Sequence, residues 1–193
     1  MIDLVFVVDG NAALQFNPTN WKAMTDLIAN TVQQLTIGPN ATNVGVVIYA
    51  QNALNPIFLN SAPTKAQLIQ QIQNLRPIGG TFVNISAGLD ALQTAQFQQF
   101  RGDRPNAPNV AVLLATTNSR LDPRPIATAA KKAGITIYTA GVTNTASIPE
   151  LTAISSAPQQ INQTVFTNAA FTTATSLVNP LKTQLCKPVI TRM

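Results

Sequence analysis

The chain has 193 residues, of which 46% are hydrophobic and only 10% are charged. This length fits a single domain with a substantial core, which we expect to span residues 1–193. Twelve basic and seven acidic residues give a net charge of +5, but the basic residues are scattered and do not alternate with aromatic ones. This pattern argues against nucleic-acid binding, and no apolar run approaches the ~20 residues of a membrane span.

Several catalytic chemistries are excluded by the residues that the sequence lacks. It contains no histidine and a single cysteine, Cys186. Nucleophilic Ser–His or Cys–His pairs and Cys/His metal clusters are therefore excluded. Gly79 and Gly80 are not followed by the Lys-Ser/Thr pair of a phosphate-binding loop, and we interpret them as a turn.

The first half of the chain alternates short apolar runs with segments of helical period. A strand is predicted at Leu4–Val8, followed by a helix at Asn20–Leu35 with one apolar face. The next two strands, Val44–Tyr49 and Pro56–Leu59, lie close enough in sequence to form a hairpin. Pro56 cannot donate to a sheet ladder, so we place its strand at an edge.

Two helices follow the hairpin in sequence. Thr64 can cap the first of them, whose apolar residues run from Leu68 to Leu75. The second is predicted to begin at Ile85 and to end near Phe100.

Strand and helix alternate through the second half of the chain. The predicted segments are, in order, strand Val110–Ala115, helix Ile126–Ala133 ended by Gly134, strand Thr136–Val142, a short helix near Pro149–Ser155, strand Val165–Thr167 and helix Phe171–Leu185. Pro180 either kinks the last helix or opens a new one capped by Asn179. This order predicts an α/β fold: a doubly wound, mostly parallel six-stranded sheet with one antiparallel edge strand and helices on both faces.

Three loops are predicted to follow strands or precede helices at one edge of this sheet. They are Asp9–Ala13, Gly79–Thr81 and Thr116–Ser119. Ligands of open α/β sheets bind outside the carboxyl ends of the strands, so these loops can converge on one crevice.

Three segments of the sequence resemble the von Willebrand factor type A domain family. They are DLVFVVDG, GGTFVNISAGLDAL and NVAVLLATTNSRLDPRPIATAAKKAGITIYTAGV, and together the resemblance covers nearly the whole chain. It implies the Rossmann-like fold of that family and a metal-ion-dependent adhesion site (MIDAS). In the family, a D-x-S-x-S motif, a threonine and a later aspartate hold a hard dication through oxygen ligands.

The MIDAS pattern is incomplete in this sequence. Asp9 is present and Thr81 matches the family's threonine, but Asn11 and Ala13 replace the two serines and Thr116 stands where the second aspartate is expected. The candidate metal ligands are therefore Asp9, Asn11, Thr81 and Thr116, with weak or no binding expected. We expect no cofactor. Three alternatives for Asp9 stay open: it belongs to a weak Mg²⁺ or Ca²⁺ site, it belongs to an intact adhesion site, or it only caps backbone N–H groups of its own turn.

Other features bear on where the protein works. Three N-x-S/T sequons, at Asn40, Asn84 and Asn162, are candidate glycosylation sites. No secretory leader is visible, because Ile2–Val8 already has the pattern of a strand. Cys186 is either an intracellular thiol or, as extracellular members of the family imply, one half of a disulfide whose partner would precede the first strand.

The resemblance implies a non-catalytic domain secreted to the extracellular matrix, which binds a matrix protein or collagen-like ligand without a metal because the adhesion site is incomplete. The alternative is a purely structural module of a byssus, shell or collagen-associated matrix, since a surface rich in Asn, Gln and Thr suits close packing and self-association. A third hypothesis is a Mg²⁺-dependent phosphoryl-transfer enzyme that uses Asp9, although no supporting acid or base is evident.

Overall fold

The computed structural model of the chain describes residues 1–62 and 64–187, so that residues 63 and 188–193 of the predicted domain lie outside it. Within the described residues, six strands form one sheet in the order β3-β2-β1-β4-β5-β6. All neighbouring strands are parallel except β2 and β3. The predicted fold class is confirmed. The strands are β1 (Ile2–Asp9), β2 (Thr42–Tyr49), β3 (Ala53–Ile57), β4 (Asn109–Ala115), β5 (Thr136–Gly141) and β6 (Val165–Thr167).

Helices cover both faces of the sheet. In the described part of the chain they are α1 (Ala12–Gln15), α2 (Pro18–Gln33), α3 (Lys65–Gln73), α4 (Ile85–Ala91), α5 (Arg124–Lys132), α6 (Ile148–Ile154) and α7 (Val178–Leu185). One apolar cluster packs α2, α3 and α7 against the first face, and a second packs α4, α5 and α6 against the other.

The central strand β1 explains why the core has two halves. Every residue of β1 is buried, and its side chains alternate between the two clusters: Leu4, Phe6 and Val8 belong to the first, and Val5 and Val7 to the second. Burying one such side chain contributes roughly 1.5–3 kcal/mol. A continuous apolar run is therefore what a strand covered on both faces requires.

The predicted edge strand is confirmed in position and wrong in its bounds. β3 lies at the edge of the sheet but runs from Ala53 to Ile57, rather than over Pro56–Leu59. A tight turn, in which Ala50 N–H donates to Asn52 O at 2.8 Å, reverses the chain directly after β2. The returning strand therefore pairs earlier than the apolar pattern suggested.

The helix predicted from Ile85 to near Phe100 is shorter than expected. After α4 the chain makes a π-helical turn, which ends at Gln96, and a 3₁₀ turn follows at Gln99–Arg101. Gln96 is fully buried, and its Nε2 donates to Val46 O (3.2 Å) and Ile57 O (3.1 Å), where the β2–β3 pairing is irregular. The π-helical turn thus places the Gln96 amide between the two strands.

The predicted C-terminal helix is divided in two. A 3₁₀ turn at Phe171–Leu177 leads into α7, so Leu177 and not Asn179 precedes its first turn. Pro180 lies within that first turn, where a missing N–H costs no intrahelical bond. The predicted caps of two earlier helices are confirmed: Thr64 Oγ1 accepts from Gln67 N–H at 3.3 Å, and Gly134 follows α5 with a φ of +86°.

A buried ion pair ties the loop before β4 to the start of β1. Asp3 is fully buried, and Arg104 Nη2 lies 2.6 Å from Asp3 Oδ1. The same guanidinium donates to Pro39 O (2.6 Å), Ile2 O (2.7 Å) and Ala41 O (3.2 Å). Burial raises the pKa of Asp3 more than its bonds to Arg104 lower it.

Replacing Arg104 with Gln should lower the free energy of unfolding by about 3 kcal/mol, because the Asp3 carboxylate is then left buried without its cation. Urea denaturation followed by circular dichroism measures the change. Lys22→Gln is the matched control: it breaks the exposed pair between Lys22 and Asp26 (2.6 Å) and should change stability by less than about 0.5 kcal/mol. Equal effects of the two substitutions would contradict this role of Arg104.

Candidate functional site

Three polar side chains meet at the carboxyl edge of the sheet. Because β1 and β4 are adjacent and parallel, Asp9 at the end of one strand lies beside Thr116, which follows the other. Thr116 Oγ1 donates to Asp9 Oδ2 at 2.6 Å, and Asn11 Nδ2 donates to the same oxygen at 3.1 Å. All three residues are buried, and Asp9 is 0% exposed.

The carboxylate of Asp9 is enclosed by hydrogen-bond donors of the protein itself. In addition to the two side-chain donors, Asn11 N–H donates to Oδ1 at 3.1 Å and Thr116 N–H donates to Oδ2 at 3.4 Å. Burial nevertheless raises the pKa of Asp9, because the loss of water around the charge outweighs these bonds. The carboxylate is fully buried, so it is not presented to solvent as an acid or a base.

The amide of Asn11 has a fixed orientation. Asn11 caps α1: its Oδ1 accepts from Ala13 N–H at 2.8 Å and from Leu14 N–H at 3.4 Å. Because these N–H groups need an acceptor, the amide oxygen faces the helix and the NH₂ group faces Asp9 and Thr116 Oγ1 (3.4 Å). A cation beside Asp9 would meet N–H donors here instead of a ligand oxygen.

Thr81 is not among the hydrogen-bond donors to Asp9. Its side chain is exposed, and its hydroxyl donates to Gln51 Oε1 at 3.1 Å. Gly79 and Gly80, with φ values of +71° and +126°, form the turn expected of them. Of the four predicted ligands, the structure therefore brings together Asp9, Asn11 and Thr116 through hydrogen bonds, and Thr81 bonds elsewhere.

This arrangement does not fit the ligand set of a MIDAS. Asp9 supplies one carboxylate, Ala13 offers no ligand atom, and the Asn11 amide and Thr116 hydroxyl both direct donors at Asp9. Among the described residues, no group of three or more His, Cys, Asp or Glu side chains is placed to hold a metal ion. Weak or absent metal binding stays a prediction, and the donor geometry favours it.

Two threonines that the sequence reasoning missed extend this network. Thr143 Oγ1 and Thr145 Oγ1 donate to Thr116 O at 2.5 Å and 2.7 Å. They follow β5, the neighbour of β4 in the parallel sheet. Polar residues after a third predicted strand were the signal that could have identified them.

A shallow pocket of about 360 Å³ opens beside this junction. Ala12, Ala13, Phe82 and Val83 contribute its apolar lining, and Arg120 is the only charged residue among the described residues that line it. Arg120 Cζ lies 4.9 Å from the centroid of the Phe82 ring. The sequence reasoning missed Phe82 and Arg120, because neither matches a motif.

The remaining candidate residues are the three sequon asparagines and Cys186; of these, Asn84 directly follows Val83 of the pocket lining. Asn40 and Asn162 are exposed, in loops that precede β2 and β6. Asn84 is half-buried, and its Nδ2 donates to Gln51 O at 3.2 Å. Cys186 is an exposed free thiol beside the start of β1.

The described part of the chain contains no helix with both the length and the apolarity needed to cross a bilayer.

Replacing Asp9 with Asn should lower the free energy of unfolding by about 1–3 kcal/mol, because an amide NH₂ would then face donors on Asn11 and Thr116. Chemical denaturation measures this loss. Asp90→Asn is the matched control, since Asp90 lies exposed on α4, and it should leave stability unchanged. A variant at Asp9 that is as stable as the wild type would contradict the closed network.

The stability contributed by Asp9 should also depend on pH in a fixed direction. Its pKa is raised above the ordinary value of 3.8, so the folded chain binds this proton more tightly than the unfolded chain does. The stabilisation that Asp9 contributes is therefore complete below pH 3.8, the ordinary pKa of the unfolded chain. It is lost as the pH rises through the higher pKa that Asp9 has in the folded chain. The stability difference between the wild type and Asp9→Asn should be larger near pH ~4 than near pH ~7; the opposite trend would contradict a raised pKa.

Comparisons with known proteins agree with this fold. The sequence model of the von Willebrand factor type A domain family matches residues 3–180. Matrilin-1 of Gallus gallus is 31% identical over 144 residues, which cover 72% of this chain and 28% of matrilin-1. The Homo sapiens collagen alpha-1(XX) chain is 31% identical over 160 residues, which cover 82% of this chain and 12% of that protein.

Among solved structures, proximal thread matrix protein 1 from the mussel byssus, with a zinc-occupied MIDAS motif, superposes with a TM-score of 0.89. The two share 23% identity, over 96% of this chain and 48% of the mussel protein. The chain thus spans less than a third of the two sequence relatives and about half of the mussel protein. The match over residues 3–180 shows that the chain belongs to the von Willebrand factor type A domain family.

Proposed function

We propose that this chain is a non-catalytic adhesion domain that binds an extracellular matrix protein without a metal ion. The observation that carries the proposal is the closure of Asp9 by the side chains of Asn11 and Thr116, at 3.1 Å and 2.6 Å. Membership of the family supports the adhesion role. The names of the relatives, which include a matrilin, a collagen chain and a thread matrix protein, support a matrix partner.

Metal independence follows from the cost of opening the site. A dication beside Asp9 would have to displace the hydroxyl of Thr116 and the amide of Asn11, and each hydrogen bond to a charged group is worth about 1.5–3 kcal/mol. The cation would gain one carboxylate in return, since Thr116 stands where the family has its second aspartate. The phosphoryl-transfer alternative gains no support, because Asp9 is fully buried.

The carboxyl edge of the sheet is the face we assign to binding. It carries the 360 Å³ pocket. Phe16 directly follows α1, whose residues Ala12 and Ala13 line this pocket, and it is 83% exposed. Aromatic side chains are enriched in protein interfaces, so we assign Phe16 to this binding face. A collagen-like or other matrix protein is the partner class that we propose for this face.

Secretion to the extracellular matrix is part of the proposal. Asn40 and Asn162 lie at the amino ends of β2 and β6, the edge of the sheet opposite the pocket. Glycans on these two side chains would leave the binding face free. Cys186 is exposed and lines the same pocket as Met1; a disulfide from this thiol to a cysteine that is not among these 193 residues is part of the same proposal.

Calorimetric titration with Mg²⁺, Ca²⁺ and Mn²⁺ should detect no binding tighter than about 1 mM, because the site offers one carboxylate and few free oxygen ligands. The matched variant carries Asn11→Ser, Ala13→Ser and Thr116→Asp, which together restore the family's ligand pattern. It should bind these cations more tightly than the wild type. A micromolar constant for the wild-type chain would overturn metal independence.

Binding to fibrillar collagen, the first probe for a matrix partner, should persist in EDTA. Phe16→Ala should weaken it about tenfold, as the loss of an interface aromatic commonly does. Phe100→Ala is the matched control, because Phe100 is 72% exposed in the 3₁₀ turn that precedes β4, and it should have no effect. Surface plasmon resonance measures all three proteins.

Three results would count against the proposal. Loss of binding in EDTA would contradict metal independence, and equal losses in the two phenylalanine variants would contradict the assigned face. A chain that binds no collagen but associates with itself in a concentration-dependent way, measured by light scattering, would favour the structural matrix module instead.

A further inference from the structure

Hydrogen bonds of the loop after β4 hold the backbone of Arg120 at the rim of the pocket. The Arg120 N–H donates to Val83 O at 2.8 Å. The preceding residue, Ser119, donates its N–H to Glu150 Oε1 at 3.0 Å and accepts from Ile85 N–H at 3.1 Å through its hydroxyl. The loop after β4 is thus fixed to α4 and α6, and the position of Arg120 is set before any partner arrives.

The N–H groups of the Arg120 guanidinium are available to a ligand. The guanidinium lies over the ring of Phe82 at 4.9 Å, a contact that restrains the cation without using its N–H groups. Within the described residues, the Arg120 side chain forms no salt bridge and no hydrogen bond. Asp122, the acidic residue nearest in sequence, already pairs with Arg124 at 2.8 Å. Glu150, which contacts this loop from α6, accepts from Ser119 N–H.

The pocket that Arg120 lines favours a ligand that is both apolar and negatively charged. Its lining includes the apolar side chains of Ala12, Ala13, Phe82 and Val83, and Arg120 is the only charge among the described lining residues. One cation above an apolar surface matches a short aliphatic chain that ends in a carboxylate. A sulfated polysaccharide would require several cations in a row, and the described lining of this pocket contains one.

We propose that Arg120 anchors the carboxylate of a glutamate or aspartate side chain on the protein partner. The inference rests on the proposed matrix-binding function and deepens it by naming the chemical group that this face recognises. The guanidinium fork can form two parallel N–H···O bonds with one carboxylate, while the methylene groups of the same side chain contact the apolar lining. Asp9 remains enclosed below and takes no part.

Arg120→Gln and Arg101→Gln provide a matched pair. Arg101 has the same stacked arrangement, with its Cζ 4.0 Å from the Phe58 ring centroid, but it lies in the 3₁₀ turn before β4. On fibrillar collagen, Arg120→Gln should lose about tenfold or more in affinity, Arg101→Gln should bind as the wild type, and Arg120→Lys should fall between them. Collagen whose carboxyl groups have been amidated should have the same affinity for the wild type as for Arg120→Gln.

A second measurement needs no matrix protein. The capped peptides acetyl-Gly-Glu-Pro-amide and acetyl-Gly-Gln-Pro-amide are titrated into ¹⁵N-labelled chain, and the Arg120 Nε–H and the backbone amides of Thr117 and Asn118 are followed by NMR. The glutamate peptide should give saturable shifts that are absent with the glutamine peptide and in Arg120→Gln. Equal unfolding midpoints for all variants show that they remain folded.

The outcomes separate the two proposals. Saturable, glutamate-specific shifts without collagen binding would support the anchor and overturn the collagen-like partner. Collagen binding that is unaffected by Arg120→Gln or by amidation, together with no glutamate-specific shift, would overturn the anchor and leave matrix binding standing. Equal losses in the Arg120 and Arg101 variants would overturn the anchor as well, since general positive charge would then explain the binding.

Discussion

A carboxylate buried at the end of the central strand must be compensated, by a cation or by hydrogen-bond donors. Asp9 is fully enclosed at this position, and the chain compensates it with donors from Asn11 and Thr116. Those residues are brought there by the parallel pairing of β1 with β4. The loops that surround the pocket depend on this junction, because Asn11 also caps α1 and Thr116 O also accepts from the threonines after β5.

Asn11 and Thr116 donate hydrogen bonds to Asp9 at positions where the family has metal ligands. This difference changes what the carboxyl edge of the sheet can bind. A site with two carboxylates can hold a dication and present it to a partner, whereas this one neutralises its single carboxylate internally. The positive charge at the surface is then supplied by Arg120, stacked on Phe82 above an apolar pocket. In the proposed mode of binding, the partner is therefore held at the rim of the crevice and not at its bottom.

Much of the fold could be predicted because a strand that is buried on both faces of the sheet has a continuous run of apolar residues. The continuous apolar runs identified β1, β2, β4, β5 and β6 to within two residues at every end, and Gly134 marked the end of α5. The edge strand β3 and the end of α4 were misplaced. β3 begins early because of the tight turn between Ala50 and Asn52, and α4 gives way to a π-helical turn that places the Gln96 amide between Val46 and Ile57. Neither contact leaves a periodic pattern in the sequence.

The sequence by itself determined the α/β class, the family resemblance, and the loss of a ligand atom at Ala13 and of a carboxylate at Thr116, since these depend on residue type and order alone. Only the tertiary structure decided that Asn11 turns its NH₂ group toward Asp9, that Thr81 bonds to Gln51 instead, and that Arg120 lies beside the pocket. The reason is physical: the direction of a hydrogen bond and the partner of a side chain are set by which strands are neighbours, and residues about a hundred positions apart meet only when the sheet forms.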